Sequence, residues 1–279
     1  RDDLEAVRTL ADLAIERHYP ALQEVPERER YLALVEAVQA RQAALVAKWM
    51  GLGFIHGVMN TDNTAISGET IDYGPCAFMD TYHPQTVYSS IDAHGRYGYD
   101  NQARVIVWNM AQFATTLVPL MPDQDAAVED FTARVHAMPD LIEAERQRLF
   151  ARKIGIAEPG ADDAALVDEL LELMVEGRAD FTNTFRGLID GSARKAFADA
   201  DSFDAWAEKW RARLEHEHNP EDVMRAANPA VIPRNHRIEQ MIEAAVAGDY
   251  APFERLIDVL SQPFADNADA SDLKRPPQP

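Results

Sequence analysis

Helical periodicity governs nearly all of this 279-residue chain, and the one place where it fails limits what the chain can fold into. Residues 2–18 place Leu4, Val7, Ala11, Ala14 and Ile15 on one helical face, and Pro20 ends the run. Residues 27–50 repeat the pattern with Val35, Val38, Leu45 and Trp49 at three- and four-residue spacing, until Gly51 and Gly53 stop it. Between 57 and 74 the periodicity disappears. Asn, Asp, Thr, Ser and Gly dominate there, with apolar beats only at Ala65-Ile66 and Thr70-Ile71. Such a run is too broken for a helix and predicts a small β-hairpin turning at Ser67-Gly68-Glu69. An irregular stretch rich in Tyr, His, Asp and Gly follows over 76–101, and connections of that length inside a domain tend to be functional.

The helical pattern resumes near Gln102 and continues through Trp108 and Phe113 to about Leu120. Further helices are predicted over 123–150, 162–177, 180–190, 202–217, 236–247 and 252–261, with prolines at 122, 159, 220, 229 and 252 as breaks. The last fifteen residues, ADNADASDLKRPPQP, carry almost nothing to bury and read as a disordered or draped tail. No repeat of 20–50 residues is visible, which excludes a solenoid. The fold class is therefore mainly α, with a small β-hairpin at the polar loop.

The net charge of −20 argues against a nucleic-acid partner, because phosphate binding needs a basic surface and the chain has no basic cluster of useful size. No apolar stretch approaches the ~20 residues of a membrane span, so no membrane partner is expected. There is no basic start followed by an apolar block, so no signal peptide is read. The single cysteine, Cys76, excludes an internal disulfide framework and a cysteine-based zinc site, and fits a reducing, cytoplasmic compartment. The chain opens Arg-Asp-Asp-Leu without an initiator Met and runs straight into a helical pattern, as a cut fragment would.

The polar loop reads HGVMNTDNTAISGETIDYGP over 56–75. Protein kinases use a catalytic-loop Asp, an Asn five residues later and the Asp of a D-F-G sequence, the last two holding magnesium ions against nucleotide phosphates. Small-molecule kinases write the first half as H-G-D-x-x-x-x-N. Laid on this template, His56-Gly57 matches, Asn63 falls on the metal-binding Asn, and Asp72-Tyr73-Gly74 falls on D-F-G. Val58 stands where the catalytic Asp would be. An isopropyl group cannot accept a proton, so phosphoryl transfer with that base is disfavoured. The metal pair survives, and Asp62 is next to Asn63. Phosphoryl or nucleotidyl transfer depends mostly on positioning and charge neutralisation, so a relocated carboxylate can serve as base. The residues thus suggest Asn63 and Asp72 as Mg²⁺ ligands and Asp62 as general base. The bland reading is an ordinary Asn-Asp-Gly surface turn. The joint spacing, with helices before it and a long irregular segment after it, favours a site.

The stretch HGVMNTDNTAISGETIDYGPCAFMD closely resembles the signature of the selenoprotein O family, protein adenylyltransferases of pseudokinase fold. RTLADLAIERHYPAL, HGRYGYDNQARVIVWNMAQFA and NPAVIPRNHRIEQMIEAAVAGDY extend the resemblance over nearly the whole chain. It implies a kinase-like domain that binds ATP in a reversed orientation and transfers AMP to Ser, Thr or Tyr hydroxyls of proteins. Mg²⁺, or Mn²⁺ in its place, would be the cofactor, with Asp62 as base and Asn63 and Asp72 as metal and nucleotide ligands. By the same resemblance, residues 1–121 form a kinase-like C-lobe with catalytic loop 56–75 and activation-like segment 76–101. Residues 122–264 form a helical extension, 265–279 a tail, and the nucleotide-gripping N-lobe belongs before Arg1. That reading makes the chain a C-terminal fragment, inactive alone. The selenocysteine or cysteine that some members carry near the C-terminus has no counterpart here, and Ala103 and His83 replace an expected Pro and Asp. A silent binding module, or a kinase phosphorylating with Asp62, is the competing reading.

Other signals read as structural. His216 and His218 flank Glu217 at a spacing that points two rings apart on a helix, so a solvated helix end is expected. Trp206 and Trp210 are expected in a helix core, and Cys76 as a packing residue, since no basic partner is near it in sequence. His94 and Arg96 fit either a substrate contact or a packed turn.

Overall fold

The computed structural model describes residues 3–277. Its α-helices are α1 Leu4–His18, α2 Glu27–Leu52, α3 Gln102–Leu117, α4 Gln124–Lys153 and α5 Asp163–Glu176, followed by α6 Phe181–Gly187, α7 Ala200–Leu214, α8 Pro220–Ala227, α9 Asn235–Val246 and α10 Ala251–Leu260. Two short strands, β1 Phe54–Ile55 and β2 Ala77–Phe78, pair antiparallel with Phe54 opposite Phe78 and Ile55 opposite Ala77. The mainly helical expectation is met.

Carboxylates start several of these helices by satisfying free backbone N–H groups. Asp3 accepts from the Ala6 amide at 3.0 Å, Asp123 from Ala126 at 3.1 Å, and Asp180 from Asn183 at 2.8 Å. Helix α2 is the axis of the molecule. It buries Leu34, Val35, Val38, Val46 and Met50 and packs against both α3 and α4. A helix enclosed on several sides holds its polar residues by pairing them, and Gln39 accordingly donates to the Arg134 carbonyl of α4 at 3.1 Å. Gly53 ends α2 in the left-handed region at φ 68°, its N–H returning to the Trp49 and Met50 carbonyls. A Cβ there would sit 2.8 Å from the Phe181 ring, so glycine is required both by conformation and by space.

The main core runs from Ala11 to Met224 and centres on Tyr82, Tyr99, Phe150, Phe181 and Phe185, whose rings meet largely edge to face. Trp206 and Trp210 stack in this core, each donating its indole N–H to a carbonyl, Leu166 at 2.9 Å and Ile154 at 2.7 Å. A smaller second core gathers Ala230, Val231, Leu256, Ala270 and Leu273. The C-terminal segment that offers so little to bury by composition thus sinks Ala270 and Leu273, while residues 278 and 279 lie outside the described residues.

Two expectations are corrected. The hairpin predicted about Ser67-Gly68-Glu69 does not form: those residues make a turn, with the Gly68 amide donating to the Ala65 carbonyl at 3.0 Å, and the two strands lie outside it at 54–55 and 77–78. Carbonyls that would have laddered with each other are claimed by side chains from outside the turn instead. Gln42 donates to Ala65 O at 2.6 Å, Tyr19 to Ile66 O, and His56 to Ile71 O at 2.8 Å. No helix is expected between 217 and 236, yet α8 forms there, and Pro220, rightly a break after α7, opens it at its first turn, where a missing N–H costs nothing.

Candidate nucleotide and metal loop

The loop begins where β1 delivers His56 into the core, fully buried. Its Nδ1 accepts the Val58 N–H at 3.4 Å, so Nε2 carries the proton and donates to the Ile71 carbonyl at 2.8 Å. One imidazole therefore ties the start of the loop to the residue before Asp72. Gly57 follows at φ 84°, where a Cβ would come within 2.8 Å of the Pro75 carbonyl oxygen. The loop closes on itself at this point, and only glycine permits the approach. Trp49 adds a hydrogen bond to Thr70 Oγ1 at 2.9 Å.

Helix α3 supplies the second set of anchors. Buried Gln102 accepts the His56 N–H at 3.0 Å and donates to the Phe54 and Tyr99 carbonyls at 3.1 and 3.2 Å. One helical repeat on, buried Asn109 donates to the Met59 carbonyl at 3.1 Å and to Thr64 Oγ1 at 2.7 Å. Neither residue was singled out in the sequence, although polar side chains seven apart on the inward face of an amphipathic helix were the available signal. From the other side, Tyr97 donates to Asn60 Oδ1 at 2.5 Å, and the Arg96 guanidinium lies 4.9 Å from the Trp108 ring centre. Arg96 is thus packed on α3, and His94 is exposed.

The three expected site residues are all in this braced loop. Asp62 and Asn63 form a short 3₁₀ turn over Thr61–Asn63. Asn63 donates its amide nitrogen to the Val58 carbonyl at 3.0 Å, so the residue that replaces the usual catalytic Asp contributes its backbone to orienting Asn63. That leaves the Asn63 side-chain oxygen, a hard donor, unspent. Asp62 and Asp72 are exposed, and among the described residues neither carboxylate forms a hydrogen bond or an ion pair. Asp72 has φ 54°, one of three non-glycine residues at positive φ among those described. Such a conformation strains an L-residue and is tolerated best by Asp and Asn.

A cavity of about 360 Å³ lies beside the loop, lined by Thr61, Thr64, Trp108, Asn109 and Phe113 among others. A larger one, about 760 Å³, lies between residues 82–100 and helices α3 to α5, and none of the three site residues lines it. Among the described residues no group of three His, Cys, Asp or Glu side chains could enclose a metal ion. The loop instead offers Asp72 and the Asn63 amide oxygen, few ligands but hard ones. That is the donor set expected where magnesium takes its remaining oxygens from phosphates and water. The other motifs are structural: His216 and His218 are exposed just past α7, and Cys76 donates to the Tyr73 carbonyl at 3.1 Å. Burial pushes the Cys76 thiol up, away from the thiolate a nucleophile needs.

The loop of unspent oxygen donors is thus braced against two helices, and comparison with known proteins shows the family of the chain that carries it. The family model described as "Protein adenylyltransferase SelO" matches residues 1–261. The chain is 58% identical over 277 residues to a "Protein nucleotidyltransferase YdiU" of Ruegeria pomeroyi, covering 99% of this chain and 57% of that protein. Proteins of the same name from Methylorubrum populi and Rhodopseudomonas palustris are 49% and 48% identical, with 100% of this chain and 59% of each relative covered. The chain belongs to the SelO family. It spans somewhat over half the length of the curated relatives it matches. No helix among the described residues is long and apolar enough to cross a membrane.

Proposed function

We propose that this chain carries the catalytic and metal loop of a protein adenylyltransferase. ATP is the donor, Ser, Thr or Tyr hydroxyls of proteins are the acceptors, and residues 1–121 are the C-lobe of a kinase-like domain. The observation that carries the reading is the state of the loop's donors. Asp62, Asp72 and the Asn63 side-chain oxygen are all uncommitted, in a loop whose backbone is held by His56, Gln102 and Asn109 and whose Thr70 side chain is held by Trp49. Unspent carboxylates on a rigidly held backbone are what ligand binding requires.

In this reading Asn63 and Asp72 hold Mg²⁺ or Mn²⁺, which would neutralise charge on the nucleotide phosphates. Asp62 takes the proton of the acceptor hydroxyl as its oxygen bonds to the α-phosphorus. The bond from that phosphorus to the β-phosphate bridge breaks, and pyrophosphate leaves. His56 keeps Asp72 in register through the Ile71 carbonyl, and Val58 orients Asn63 through its own carbonyl.

The test uses the 279-residue chain and a chimaera in which it replaces the matched 57% of the Ruegeria pomeroyi relative. Each is incubated with Mg²⁺ and ATP labelled on the α- or the γ-phosphate. Retention of α-label on protein hydroxyls by the chimaera, lost in Asp72→Ala, is the expected result. Retention of γ-label alone would replace adenylylation with phosphorylation. No label from either, with ATP still bound, would make this a silent binding module.

A further inference from the structure

Helices α9 and α10 leave an apolar face uncovered. They are joined by the turn at 247–250 and pack on each other; α9 buries none of its residues and α10 buries only Leu256. Val246 is 85% exposed, Tyr250 60%, Ile257 54%, Ile242 44% and Phe253 42%. Ile242 and Val246 are four residues apart on one helix, as are Phe253 and Ile257 on the other, so each pair lines one stripe. Tyr250 stands at the turn between them. Scattered apolar residues on a surface are ordinary, but five on one helical hairpin mark an interaction site.

The charges around this face are of one sign. Glu239, Glu243, Asp249, Glu254 and Asp258 lie beside the apolar residues or within a turn of them, and among the described residues none forms an ion pair. The only Lys or Arg residues from 235 to 260 are Arg237 and Arg255, and both are turned toward the C-terminal segment. Arg237 donates to the Asp272 carbonyl at 2.8 Å, and Arg255 pairs with the Asp272 carboxylate at 2.6 Å. The two helices and their turn therefore carry five exposed apolar side chains interspersed with five carboxylates that form no ion pair among the described residues.

We propose that this face docks a segment of a partner protein in which apolar side chains alternate with Lys or Arg. Apolar anchors would fill the stripe while cations meet the carboxylates, the usual division of contacts in an interface. A second copy of this chain would bring carboxylate against carboxylate, and an anionic lipid surface would be repelled by the same charges. None of the residues belongs to the 56–75 loop, so the proposal stands apart from the transfer reaction.

Fluorescence anisotropy of a labelled amphipathic Leu/Lys peptide, with its Leu/Glu counterpart as control, tests it on the 279-residue chain and on the chimaera. The Leu/Lys peptide should bind both proteins, more weakly as salt rises. Val246→Ser/Ile257→Ser should weaken it by about tenfold or more, as loss of central anchors does. Leu10→Ser, which removes an exposed apolar residue on α1, should leave it unchanged. Equal binding by all variants would reduce the effect to general attraction by a chain of charge −20 and overturn the proposal. So would equal binding of the Leu/Glu peptide, or dimerisation in sedimentation that the double variant abolishes. Capture by phosphatidylglycerol vesicles would do the same, as would binding by the chain but not the chimaera, which would mean the face is covered within the longer protein.

Discussion

Lys153 is fully enclosed with no carboxylate beside it. Its ammonium donates to Asn228 Oδ1 at 2.8 Å and lies 4.3 Å from the centre of the Phe185 ring, while Asn228 returns a hydrogen bond to the Lys153 carbonyl at 2.8 Å. Burial lowers its pKa from 10.5 to about 7. Between those values the unfolded chain holds a proton that the folded chain has released, so folding stability rises with pH across the window and is reduced below it. The slope from one group is at most about 1.4 kcal/mol per pH unit. Denaturant midpoints measured from pH 6 to 10 should show this rise, and Lys153→Met should flatten it; an unchanged slope would place the titrating group elsewhere. Asp72 offers a complementary test at the same scale. Asp72→Gly relieves the positive φ and should keep or raise stability by about 1 kcal/mol, while abolishing Mg²⁺-dependent ATP binding measured by calorimetry. Retained binding with raised stability would leave the strain without a role in the site.

At the level of elements, α3 does more than pack. Its inward face carries Gln102, Val105, Ile106, Asn109 and Met110, and the two amides in that apolar series hold the entry and first half of the loop. Asn109→Leu removes the donor while filling the space, leaving the Met59 carbonyl and the Thr64 hydroxyl without it. It should destabilise the protein by about 1–3 kcal/mol and lower affinity for Mg²⁺–ATP, read by thermal melts with and without nucleotide. Equal shifts of both melts would confine Asn109 to stability. The long helices were legible because three- and four-residue spacing of apolar residues is a local signal, and α2, α3 and α4 follow it closely. The loop residues were legible as a set because Asp62, Asn63 and Asp72 keep a template's spacing. The path of the backbone between them was not. Alternation at Ala65-Ile66 and Thr70-Ile71 suggested strands, but partners from α2 and from Tyr19, far away in sequence, took those groups first. The amphipathic hairpin of α9 and α10 was read as two helices, and nothing local announces that their apolar faces remain open.

For the molecule as a whole, the critical tie is Arg234. Only 1% exposed, it pairs with Asp180 at 2.7 Å and with Asp80 just past β2, joining the C-terminal segment to the root of the loop and to the cap of α6. The Phe181 amide reinforces the same junction by donating to the Asp80 carbonyl at 2.7 Å. Arg234→Met would leave two partly buried carboxylates facing each other without their cation. That should cost about 3–5 kcal/mol in chemical denaturation, whereas Arg255→Met, at an exposed pair, should cost about 1 kcal/mol or less. Similar losses in the two variants would remove Arg234 from the role of tie.

The loop's anchors also set when it can form. Met59 waits for Asn109 across 50 residues, Phe54 for Gln102 across 48, and the Met50 carbonyl for Tyr99 across 49. A segment that depends on fastenings so distant in sequence gains little from its own local contacts, and closing such long spans before other contacts reward it is slow. The donors at 62, 63 and 72 are therefore expected to come into register late in folding. Substitutions among their fastenings should speed unfolding and leave the refolding rate almost untouched.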